Sequence, residues 1–100
     1  MVTQEDVYLK KLRDCVINEL GDESVKIILF GSRAAGRHHP ASDVDIGLIP
    51  KGPWNVRKLS SLKEKIEDLN IPYTVDLVDL NGVSGRFRQQ ALKDVIVWKD

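Results

Sequence analysis

Residues 25–49 read VKIILFGSRAAGRHHPASDVDIGLI, and the fold is decided by how this stretch is divided. Val25–Phe30 is a β-branched, apolar run with almost no alternation, the pattern of a strand covered on both faces, and it predicts a central strand. Gly31-Ser32 ends the run. Arg33-Ala34-Ala35-Gly36 suits one short helical turn, Arg37-His38-His39-Pro40-Ala41-Ser42 is a polar loop, and Asp43–Ile49 reads as a second strand whose start alternates acid and apolar residues.

Upstream, Val7, Leu9, Leu12, Val16, Ile17 and Leu20 recur near a 3.6-residue period and predict an amphipathic helix over Thr3–Leu20. Thr3 and Asp6 resemble a capping box with aspartate in the glutamate place, and Gly21 is the C-terminal stop. Downstream, Pro50, Gly52 and Pro53 break the chain. Asn55 is placed to cap a second helix with Val56, Leu59, Leu62, Ile66 and Leu69 on its dry side. Pro72–Leu80 reads as a third strand, Val83–Lys93 as a short helix and Val95–Trp98 as a last strand. This alternation predicts an α/β or α+β fold, a small sheet with helices packed on it. One hundred residues, 42% of them hydrophobic, suffice for a single domain over residues 1–100 and leave no room for a second.

Fifteen basic and fifteen acidic residues cancel, so no global basic field holds a nucleic acid, and a nucleotide is a better ligand than a long polynucleotide. The single cysteine, Cys15, has no partner for an intrachain disulfide and suits a reducing cytoplasm as a small apolar residue. No apolar run approaches the roughly 20 residues of a spanning helix, so the expectation is a soluble protein outside the membrane.

The chemistry lies in Asp43 and Asp45. Residues two apart on a strand share a face, so these carboxylates stand side by side and repel unless a cation lies between them. Oxygen ligands of this kind suit magnesium or manganese. Asp76, between Val75 and Leu77, adds a third carboxylate if the strands are neighbours; Asp79, at the strand end, points to the opposite face and is more simply a cap. Three carboxylates can hold two metal ions, one activating an attacking oxygen and one neutralising a leaving pyrophosphate. Gly31-Ser32 supplies the phosphate holder, since glycine admits a close backbone approach and the hydroxyl and nearby amides bond phosphate oxygens, with the charge of Arg33 close by.

Gly31-Ser32, ten intervening residues and Asp43-Val44-Asp45 together resemble the signature of the DNA-polymerase-β-like nucleotidyltransferase superfamily. Gly-Ser-Arg-Ala-Ala-Gly at 31–36, Ser-Asp-Val-Asp-Ile at 42–46 and Val-Asp-Leu-Val-Asp-Leu at 75–80 are similar to its stand-alone minimal members over nearly the whole chain. The resemblance implies a polymerase-β palm-like mixed sheet flanked by helices, a nucleoside triphosphate substrate, by family default ATP, two magnesium ions, and transfer of a nucleoside monophosphate to a hydroxyl. Position by position it implies that Ser32 contacts the triphosphate, that Asp43 and Asp45 bind both metals and that Asp76 binds the catalytic one. Ala35 departs from the arginine that many members carry there. The resemblance further implies a separate helical partner of the HEPN type, a toxin silenced by AMP transfer to its tyrosine, so that this chain is the antitoxin. Transfer to a small molecule held by a helical partner, and neutralisation by binding alone, are the alternatives.

Other residues have plainer readings. His38 and His39 suit a solvated loop, since the chain has no further histidine with which to build a zinc site. Arg37 could contact phosphate, Arg33 could instead brace the loop, and Trp54 suits either an interaction anchor or packing at the domain edge. Arg86-Phe87-Arg88 reads as an amphipathic helix with its aromatic in the core, with a basic-aromatic contact for RNA or a partner as the alternative. The oligomeric state stays open.

Overall fold

A computed structural model describes residues 4–36 and 43–100, apart from the side chains of residues 4–6: α1 (Gln4–Leu20), β1 (Val25–Phe30), β2 (Val44–Pro50), α2 (Lys58–Asp68), β3 (Val75–Asp79), α3 (Gly85–Ala91) and β4 (Ile96–Lys99). The strands form one mixed sheet of order β3-β2-β1-β4. β1 is antiparallel to β2 and β4, while β2 and β3 are parallel, which requires a crossover that α2 provides.

The apolar run of β1 is central, as its lack of alternation predicts, because its two faces feed two cores. Val25, Ile27 and Leu29 join Leu12, Val16 and Leu20 of α1 and Leu62 and Ile66 of α2. Ile28 and Phe30 point the other way, to Leu80 and to Ala91 of α3. Helices therefore cover both faces. The face under the seven-residue α3 is covered less completely, and Phe87 is 45% exposed there, edge-on to Phe30 at 6.3 Å, rather than in the core as expected.

Gly47 lets the second core close, since a Cβ there would lie 2.7 Å from Leu80 Cδ1 and 2.9 Å from Ile28 Cγ1. Several boundaries differ from expectation. β3 starts at Val75, after the Asn70–Thr74 loop, and Leu80 beyond its end donates its N–H to Leu48 O at 2.9 Å. Asn55 braces the turn before α2, accepting from Arg57 N at 3.2 Å and through its carbonyl from Lys58 N at 3.1 Å. Ser84 caps α3, accepting from Phe87 N at 3.2 Å. Trp54 is half-buried against the main core, where it packs at the domain edge. The Thr3 and Asp6 capping pair lies outside the described side chains.

Candidate active site

β1 and β2 run antiparallel, so the end of one lies beside the start of the other, and Phe30 pairs with Asp45. Gly31 follows directly with φ +78°, a left-handed conformation that glycine adopts without steric cost. A Cβ on Gly31 would overlap Asp45 Oδ2, so the glycine is required twice, by its dihedral and by the carboxylate against its backbone. Ala35 N then donates to Gly31 O at 3.1 Å and Gly36 N to Arg33 O at 3.3 Å, which closes the expected single turn. Ser32, half-buried, is the first residue of that turn.

The parallel pairing of β2 and β3 sets Asp45 opposite Asp76. Strand alternation aims both at the α3 side of the sheet, away from the main core that Val44, Ile46, Val75 and Leu77 face. Burial pushes the Asp45 carboxyl above the usual aspartate range, and the charges of Asp76 and then Asp43 push it further. Asp43, exposed and just ahead of β2, therefore belongs to the same charge cluster. Asp79 faces the other way and accepts from Asn81 N at 2.9 Å, fixing the turn that leaves β3.

Arg33 is 5% exposed, with its guanidinium carbon 4.1 Å from the centre of the Tyr73 ring, and Tyr73 in turn meets Tyr8 edge-on at 6.0 Å. This stack ties the Gly31–Gly36 turn to the loop before β3 and to α1. Sequence reading missed Tyr73, and its one signal is an aromatic isolated in a short loop ahead of the acidic strand. Arg37, His38 and His39 lie outside the described residues.

The donor chemistry is oxygen alone, which suits a hard divalent cation. Among the described residues no three acidic, histidine or cysteine side chains converge into a closed ligand set. Magnesium does not need one, because it retains waters and is held by one or two carboxylates plus substrate phosphates, so a repelling Asp45 and Asp76 pair with Asp43 beside it fits the ion.

A family profile described as polymerase beta, nucleotidyltransferase, matches residues 10–100. The Haemophilus influenzae protein named probable protein adenylyltransferase MntA is 34% identical over 68 residues, which make up 68% of this chain and 60% of that protein. The match thus spans less than two thirds of that relative's length. A crystal structure of a toxin–antitoxin with AMP-PNP aligns over 86% of this chain and 71% of its own, with a TM-score of 0.64 and 28% identity. A candidate minimal nucleotidyltransferase of known structure aligns over 88% of this chain and 90% of its own, with a TM-score of 0.67 and 27% identity.

Proposed function

The chain belongs to the polymerase beta nucleotidyltransferase family, and from that premise we propose that it transfers AMP from ATP to a hydroxyl of a protein partner. The observation that carries this reading is the meeting of three parts at one sheet end: the Gly31 backbone against Asp45, and Asp45 beside Asp76. Gly31 lets the backbone approach the triphosphate and the Ser32 hydroxyl bonds a phosphate oxygen, while Arg33 shapes the turn from beneath. Asp43, Asp45 and Asp76 are the groups that would hold divalent metal. Two bound magnesium ions would supply charge neutralisation for the phosphates and a more acidic acceptor hydroxyl.

The acceptor oxygen attacks the α-phosphorus, the bond from that phosphorus to the bridging oxygen breaks, and pyrophosphate leaves with the electron pair while the hydroxyl proton is released. Position and charge carry the catalysis, as in other phosphoryl-group chemistry. A protein acceptor is supported by the name of the Haemophilus influenzae relative and an antitoxin role by the similar toxin–antitoxin structure containing AMP-PNP, while a HEPN-type helical toxin as the partner follows from the family resemblance.

Incubating the chain with magnesium, ATP and the product of its neighbouring gene, followed by intact mass of both proteins, tests the proposal. One or more added AMP masses on the neighbour are expected. An unmodified neighbour with nucleotide still bound to the chain would replace the protein acceptor by a small molecule or leave neutralisation by binding alone.

A further inference from the structure

β3 is an edge strand of the described sheet, and a cavity of about 510 Å³ lies along it. A pocket on a sheet face touches alternate strand residues. This one is lined by consecutive residues, Tyr73 through Leu77, together with Lys63, Ile66 and Glu67 of α2, so it follows the strand edge beneath the helix. Val44 N donates to Thr74 O at 2.8 Å and Leu80 N to Leu48 O at 2.9 Å, which places the even-numbered main-chain groups of β3 toward β2. The N–H and C=O groups of Val75 and Leu77 therefore point outward into this groove, whereas the C=O of Asp79, beyond its lining, already accepts from Gly82 N at 3.1 Å.

Resting on the catalytic reading above, we infer that this groove receives the acceptor as an extended peptide segment that adds a strand to β3. A row of alternating donors and acceptors at strand spacing is answered by another peptide backbone. The walls suit the side chains of such a segment. Those turned toward α2 meet apolar Ile66 and Leu77 below a rim bearing both Lys63 and Glu67. The alternate side chains turn toward the acidic face, and the one opposite Asp76 has its Cβ about 5 Å from that of Asp76. A hydroxyl-bearing residue there stands beside the Asp45 and Asp76 pair. Tyr73, which holds Arg33 under the Gly31–Gly36 turn, also lines the groove, so acceptor and nucleotide sites share a wall.

The test is residue-resolved amide exchange on the full chain, with and without a capped peptide of alternating threonine and valine around one tyrosine. Exchange at Val75 and Leu77 slows about tenfold with peptide, the factor one main-chain hydrogen bond supplies, while Asp76 and Val78 do not change. The variant Val75→Pro, which removes an outward N–H, abolishes the slowing at Leu77. No slowing at Val75 and Leu77 overturns the proposal. Protection already present without peptide and rising with chain concentration also overturns it, assigning the edge to a second copy. Binding of manganese and AMP-PNP, measured on the same samples, separates the two readings: protected amides without nucleotide binding would remove the catalytic reading and with it the acceptor role of the groove, and nucleotide binding without protected amides would remove the groove alone.

Discussion

Gly31 is where the end of β1, the turn and the carboxylate of Asp45 meet, so a single methyl group there is informative. Gly31→Ala places a side chain at φ +78° and against Asp45 Oδ2, and it lowers stability by about 1–2 kcal/mol from the dihedral alone. Denaturant unfolding measures that loss, and nucleotide binding falls with it. Asp45 behaves in the opposite sense. Its folded carboxyl titrates above the usual range, so the charged form is disfavoured in the fold and the cost is fully present above that raised value. Asp45→Asn therefore raises the unfolding temperature at pH 7. The gain disappears as pH falls below the ordinary aspartate range, where both states are protonated. Gly31-Ser32 and Asp43-Val44-Asp45 were legible because strand edge, spacing and residue type are all local signals. The burial of Arg33 under Tyr73 was not, because forty positions separate the two and only the packing of the β3 loop against the turn joins them.

At the level of elements, the apolar run of β1 announced its central place, whereas the strand ends did not show themselves. β3 begins three residues after Pro72 because pairing with β2, rather than local composition, decides where its ladder starts. Phe87 reads as a core residue by helical spacing, yet α3 is too short to carry it fully under cover. Gly47 looks in sequence like a weak point in a strand, and the structure gives its reason in the close approach of Leu80 and Ile28. Gly47→Ala forces those two side chains aside and costs about 1–3 kcal/mol by overpacking, read as a lower denaturant midpoint with an unchanged slope.

Across the molecule, three acids near the junction of α1 and β1 are tied to α2. Lys65 bonds Glu19, Lys58 bonds Asp22 at 3.0 Å and Glu23 at 3.1 Å, and Asn55 N donates to Glu23 at 2.7 Å. These bonds hold all three carboxyls below the ordinary carboxylate range, the Lys65 bond leading for Glu19, the Lys58 bond for Asp22 and the Asn55 amide for Glu23. A lowered folded value means that the stabilisation is present above the unfolded value and is lost as pH falls through the folded one. Thermal midpoints recorded from pH 7 down to acid should fall through the carboxylate range, and Lys58→Met should flatten that fall. Salt should weaken the same contribution, because the cluster is at the surface. This network positions α2, which walls the β3 groove, so it bears on the site without touching it.

That the acids at the sheet end hold a metal-bound nucleotide is tested by calorimetric titration of manganese and AMP-PNP into the wild-type chain and into Asp45→Asn/Asp76→Asn. Metal-dependent binding by the wild type and a loss of at least about tenfold in the double variant, with circular dichroism unchanged, are expected. Equal affinity in the two proteins, or wild-type binding that persists unchanged with the metal removed, would contradict it.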